Sequence, residues 1–318
     1  MTDEYRDPSS EREADEFEPS VPFGSDVVDA ASIVEHFLDD DSAERDLPEA
    51  GQIAAWQRQP PFTGGARHVA DRPAWHFQTD TQEEAIARLL YVAEKSRPTG
   101  VLVGAAGSGK THVLAMVASE LRRAGGSVLT LDLSGMDSEG LIDQASARIG
   151  CVSSDSDAPM VRLRMLSRWM EGQLAAGGLT VLADHLDQAD RSALLVLDRL
   201  LSACEGGIPT LLAATETAEC EMPVWVRRHG GLRIGLETMT PDQTAAYLDA
   251  GLAEAEPVGL SPRFTPEAAA RVHELSGGRM RSVGAIGRMA FVAGRAERFG
   301  SLTVELVEAA CQELAMAS

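Results

Sequence analysis

The chain has 318 residues, 44% of them hydrophobic, and a formal net charge of −21 at pH 7. That length suffices for an α/β domain with a sizeable core plus a smaller second domain. The acidity weighs against a strong nucleic-acid binder, which needs a dense Lys/Arg surface to neutralise phosphates, although a local basic patch remains open.

The acid is concentrated at the start. Residues 1–50 carry 17 Asp or Glu against three Arg, a balance of −14. "MTDEYRDPSSEREADEFEPS" has too little apolar surface for a core and reads as a disordered tail. Further along, "DVVDAASIVEHFLDD" puts Val27, Val28, Ala31, Ile33, Val34, Phe37 and Leu38 on roughly one helical face, so a short helix is expected there. Residues 46–73, rich in Pro, Gly and Gln, read as linker, and residues 1–74 together form the tail and linker.

From residue 75 helical and strand patterns alternate. "TQEEAIARLLYVAEK" is helical, "GVLVG" a short buried strand, and "KTHVLAMVASELRRAGG" a helix closed by glycines. "SVLTLDL" is a second strand, followed by helices in "SEGLIDQASARIG" and "MVRLRMLSRWMEGQLAAGG". "LTVLAD" is a third strand, "QADRSALLVLDRLLSACEGG" a helix, "IPTLLAAT" a fourth strand and "GLRIGL" a fifth. This alternation predicts a five-stranded parallel sheet with helices on both faces over residues 75–240. Residues 241–318 hold four helical patterns, several opened by Thr-Pro or Ser/Thr caps, and are expected to form a small all-helical domain. No run of 18 apolar residues and no leader pattern occurs, so no membrane association is expected and the protein is expected in the cytoplasm. Cys151, Cys204, Cys220 and Cys311 are scattered without metal-ligand spacing.

The first strand-to-helix junction reads "GAAGSGKT": Gly104, Ala105, Ala106, Gly107, Ser108, Gly109, Lys110 and Thr111. This satisfies G-x-x-x-x-G-K-[ST], in which a glycine-rich loop wraps main-chain N–H groups around phosphate and the next helix presents its positive end. Lys110 is expected on the β- and γ-phosphates and Thr111 on Mg²⁺. The chain has only two lysines, Lys95 and Lys110, and one stands where this chemistry calls for it. Asp184 ends an apolar strand, at the sheet edge where open α/β folds bind ligands, and is expected to hold Mg²⁺ through water. Thr215 ends the fourth strand at the matching edge and is a candidate for bonding the γ-phosphate or the attacking water.

The stretches "GAAGSGKT", "TVLADHLDQAD", "LLAATE", "RRHGGLRIGLETMTPDQTAAYL" and "FTPEAAARVHELSGGRMRSVGAIGRMAF" resemble the AAA+ ATPases. The resemblance covers roughly residues 75–314 and is greatest to the branch of general secretion pathway protein A ATPases, transposition helper ATPases and origin-recognition ATPases. It implies ATP as the nucleotide. It implies a lid arginine, Arg281, on the γ-phosphate of its own subunit, and an arginine finger, Arg227 or Arg228, reaching a neighbouring copy, hence self-association. Arginine suits both roles because it stays charged and forks onto phosphate oxygens.

Two residues depart from the family pattern. Met280 replaces a proline that often precedes the lid arginine, and His185 stands where relatives place the glutamate that polarises the attacking water. Candidate bases after Asp184 are then His185 and Asp187, the latter being an equally good cap for the next helix. Slow hydrolysis is expected, raised by His185→Glu. The implied function is an ATP-binding switch or slow Mg²⁺-dependent ATPase with an unnamed protein partner. The alternatives are an ATP-stabilised interaction module without turnover and a DNA-associated assembly ATPase of the transposition or replication-loader type.

Overall fold

A computed structural model describes residues 68, 77–94, 99–150, 158–202, 208–215, 231–255, 262–296 and 300–316. These belong to one compact unit, Ala50–Ser318. The helix expected at 26–40 and both finger candidates, Arg227 and Arg228, lie outside the described residues.

Helix α1 (Asp80–Glu94) opens with a reciprocal cap. Thr79 N–H donates to Gln82 Oε1 at 3.2 Å, and Gln82 N–H donates to Thr79 Oγ1 at 3.3 Å, so two donors at the helix start are satisfied locally. There follow β1 (Thr99–Gly104), α2 (Lys110–Arg123), β2 (Ser127–Asp132), α3 (Ser138–Arg148), α4 (Pro159–Ala176), β3 (Leu179–Asp184), α5 (Arg191–Ser202), β4 (Thr210–Thr215) and β5 (Leu232–Leu236). A 3₁₀ turn, Leu186–Gln188, separates β3 from α5.

The five strands are parallel in the order β2-β3-β4-β1-β5. Successive strand residues point to opposite faces, and here both faces are covered. Val101, Val103, Leu129, Leu131, Val181 and Ala183 pack under α3, α4 and α5. Leu102, Leu182, Leu211, Ala213 and Ile234 pack under α1 and α2. Burial on both sides explains why these strands read as continuous apolar runs.

The C-terminal part contains α6 (Pro241–Ala255), α7 (Pro266–Ser276), α8 (Met280–Ala296) and α9 (Val304–Met316). It is the helical domain expected, with one addition: β6 (Arg263–Phe264) and β7 (Ser301–Leu302) form a short parallel pair. Each dipeptide is extended just ahead of a helix start, and each supplies partners for the other's main chain, with Thr265 N–H donating to Leu302 O at 3.1 Å. The expected threonine caps are present. Thr240 and Gln243 exchange bonds across the start of α6, and Thr265 Oγ1 accepts from Ala268 N–H at 3.2 Å. Tyr247, Leu248, Val272, Val283, Ile286 and Val307 form the lid core, which Met239 joins from the chain leaving β5. Phe77, ahead of α1, sets its ring edge-on to Tyr247 with centroids 5.3 Å apart. The lid is therefore attached to the sheet domain from both sides of the chain. Among the described residues no helix is long and apolar enough to cross a membrane.

Candidate functional site

The strand order lines up four chemically active strand ends. Asp132 ends β2, Asp184 ends β3, Thr215 ends β4, and Gly104 ends β1. Asp132 pairs in register with Asp184, and Gly104 with Thr215. All face the C-terminal edge of the sheet, the side on which the glycine-rich loop leaves β1.

That loop is closed by its own lysine. Lys110 Nζ donates to the carbonyls of Gly104 and Ala105, both at 2.9 Å, which draws the end of the loop onto its beginning. Burial lowers the Lys110 pKa from its ordinary value, while Asp184 and Asp187 act to raise it and Arg281 to lower it further. Gly107 adopts φ +80°, a region that disfavours side chains, and a Cβ there would stand 3.3 Å from Arg281 Cβ. Arg281 main-chain N–H donates to Gly107 O at 3.1 Å. Thus Arg281, the second residue of α8 and the expected lid arginine, has its main chain seated on the loop. Ser108 Oγ is buried with no hydrogen-bond partner among the described residues.

Asp184 is only 1% exposed. Its Oδ2 accepts from Thr111 Oγ1 at 2.6 Å, and its Oδ1 accepts from His185 N–H at 2.9 Å. The two residues expected at the metal are thus brought together over 73 positions of sequence.

Asp187 does not cap the helix that follows. The intervening 3₁₀ turn delays α5 to Arg191, and Asp190 Oδ1 takes the capping bond, from Ser192 N–H at 2.7 Å. Asp187 Oδ1 instead accepts from Thr215 N–H at 2.8 Å, which ties the turn after β3 to the end of β4. Asp187 and Thr215 are therefore neighbours at the site.

His185 has φ +56°, the one positive value among the described residues other than glycine. The turn carries its ring to Asp132, with Nδ1 2.8 Å from Oδ1, and 3.8 Å from Asp184 Oδ2. Asp132 Oδ1 also accepts from Ser134 N–H at 3.0 Å, and His68 Nδ1 lies 3.4 Å from Oδ2. Burial would raise the Asp132 pKa, but the bonds from Ser134, His185 and His68 outweigh it and hold it below its ordinary value. Asp132 was missed from sequence, although its position at a strand's C-terminal end was the same signal that marked Asp184. Its carboxylate also bears on the expected gain from His185→Glu, because that change would place two carboxylates against each other.

A five-stranded parallel sheet in this order, with a glycine-rich loop after β1 and a helical domain seated on that loop, is the fold of the AAA+ ATPases. Solved structures with this fold include Aeropyrum pernix ORC2 in ADPNP-ADP complexes, 15% identical with a TM-score of 0.57 over 78% of this chain and 71% of that one. Pyrobaculum aerophilum Cdc6p is 13% identical, with a TM-score of 0.60 over 74% and 67%. Aeropyrum pernix ORC1 in complex with DNA is 17% identical, with a TM-score of 0.59 over 78% and 69%. The family described as "Type III restriction enzyme, res subunit" matches residues 78–168, from before α1 through the glycine-rich loop into α4. No curated protein sequence matches the chain.

Proposed function

We propose that this protein binds Mg²⁺·ATP at Gly104–Thr111 and acts in the cytoplasm as a nucleotide-dependent switch with slow hydrolysis. The observation that carries this is the 2.6 Å bond between Thr111 Oγ1 and buried Asp184, beside a loop closed by its own lysine. A hydroxyl and a carboxylate are hard oxygen donors of the kind Mg²⁺ takes, the rest of its shell coming from water and phosphate. When bound, the ion supplies charge neutralisation on the phosphates. The buried Ser108 hydroxyl, unsatisfied at a cost of about 1–3 kcal/mol, also fits a loop completed by phosphate oxygens.

In this function Lys110 exchanges the loop carbonyls for phosphate oxygens, and Arg281 reaches the γ-phosphate from the lid. Thr215 and Asp187 line the far side, and His185 borders the attacking water. Arg227 or Arg228 enters the site of a second copy, so ATP promotes self-association. Calorimetry with Mg²⁺·ATP, phosphate release, and mass by light scattering with and without ATP test this together. Absence of ATP binding by the wild-type protein would refute it.

A DNA-associated assembly ATPase is a second function, supported by the fold shared with ORC1, which was solved in complex with DNA. The net charge of −21 opposes it. A salt-dependent gain in turnover on adding duplex DNA would favour it, and unchanged turnover at low salt would remove it.

A further inference from the structure

We propose that Asp132 is a positioning residue for ATP hydrolysis, holding the His185 imidazole through Nδ1–H so that Nε2 is left as the acceptor for the attacking water. This rests on the ATP-binding function above.

The geometry begins with the carboxylate, which can only accept. At 2.8 Å from Asp132 Oδ1, His185 Nδ1 must carry the hydrogen of that bond. A neutral ring then has its lone pair on Nε2. Asp132 is in turn fixed by main chain: its N–H donates to Gln144 Oε1 at 2.8 Å, its carbonyl accepts from Gln144 Nε2 at 3.2 Å, and its Oδ1 accepts from Ser134 N–H. An orienting partner held this way passes its position on to the ring. The ring also borders the candidate metal ligands, with Nδ1 3.8 Å from the Asp184 oxygen that holds Thr111.

The left-handed backbone at His185 points the same way. Positive φ is uncommon outside glycine and is retained where the surroundings enforce it, often at functional sites. Here it satisfies two bonds at once, His185 N–H to Asp184 and His185 Nδ1 to Asp132. A carboxylate that fixes the tautomer and orientation of a histidine base, and stabilises the imidazolium formed, is a known catalytic arrangement. In the reaction, water oxygen bonds to the γ-phosphorus and its proton passes to Nε2. The bond from the γ-phosphorus to the bridging oxygen breaks with its electron pair staying on ADP, and the imidazolium later releases the proton to solvent.

The arrangement makes a prediction of opposite signs. Single-turnover hydrolysis is measured in the full chain for wild type, Asp132→Asn, His185→Glu and the double variant, with Mg²⁺·ATP affinity measured in parallel. In the histidine background Asp132→Asn should lower the rate constant about tenfold or more, at nearly unchanged affinity, since an amide also accommodates the wrong tautomer. In the His185→Glu background the same substitution should raise the rate, because it replaces carboxylate repulsion with an amide donor. Nitrogen-15 NMR of the wild-type imidazole should show Nδ1–H, with His185→Gln identifying the signal. The proposal is overturned by an Nε2–H tautomer, by an effect of the same sign in both backgrounds, or by firm ATP binding without measurable turnover. That last result would leave ATP binding intact, whereas failure of the wild-type protein to bind ATP would overturn the function itself.

Discussion

Arg281 donates its main-chain N–H to the Gly107 carbonyl at 3.1 Å, so the first turn of the lid helix α8 is hydrogen-bonded to the glycine-rich loop. The bond belongs to the backbone and survives side-chain truncation. Arg281→Ala should therefore leave the melting temperature close to wild type while weakening Mg²⁺·ATP binding about tenfold or more, the loss of one charge-assisted contact. Calorimetry checks it, and wild-type affinity with wild-type turnover would remove Arg281 from the site.

Lys110→Ala removes the cation expected on the phosphates and both bonds that close the loop. Affinity for Mg²⁺·ATP should fall about 10- to 150-fold, since a hydrogen bond to a charged group contributes about 1.5–3 kcal/mol. Binding at wild-type strength would show that the nucleotide sits elsewhere.

Asp187 has a structural and an electrostatic part that can be separated. Asp187→Ala strands the Thr215 N–H and should cost about 1–3 kcal/mol of stability along with hydrolysis. Asp187→Asn keeps an acceptor for that N–H and should restore the stability, but not the charge that acts on Lys110. If urea midpoints and hydrolysis rates recover together in the asparagine variant, the residue serves only to hold β4.

Gly278 is where the lid meets the chain leaving β5. It has φ +66°, and a Cβ there would lie 2.2 Å from the Met239 carbonyl oxygen, while Met239 N–H donates to Gly278 O at 2.9 Å. The obstacle is backbone, which cannot swing aside as a flexible side chain would. Gly278→Ala should destabilise the protein by about 1–3 kcal/mol. An unchanged urea midpoint would contradict the close contact.

The lowered Asp132 pKa links this residue to acid stability. A carboxyl whose folded pKa is depressed contributes stability above its unfolded value, near 3.8, and loses it as pH falls through the folded value. Wild type should therefore melt above Asp132→Asn near neutral pH, and the difference should shrink through the acid range as the carboxyl protonates. A gap that stays constant from neutrality to below pH 3.8 would rule out this linkage.

The fold, and the loop and strand ends that carry the candidate site, were legible because their signals are local. "GAAGSGKT" follows an apolar strand and precedes an amphipathic helix, a strand carrying Asp184 ends in its carboxylate, and Thr240 and Thr265 stand at helix starts. Each of these depends on neighbours a few residues away, within reach of backbone sterics and helix capping. The short β6–β7 pair escaped notice because two-residue strands carry no periodicity, and Asp187 resembled a cap because sequence spacing does not reveal the 3₁₀ turn that delays α5.

What only the tertiary structure decided is which strand ends stand together. Asp132 and His185 are 53 residues apart, and nothing in "SVLTLDL" or "LADHLDQAD" marks them as partners. They meet because β2 pairs with β3 in register and His185 turns left-handed, just as Asp187 meets Thr215 because β3 lies beside β4. Strand order is set by how the helices cover the two faces of the sheet, a collective packing outcome. Hydrogen bonds between strand ends inherit that order, so the partner of His185 could be found only after the sheet had formed.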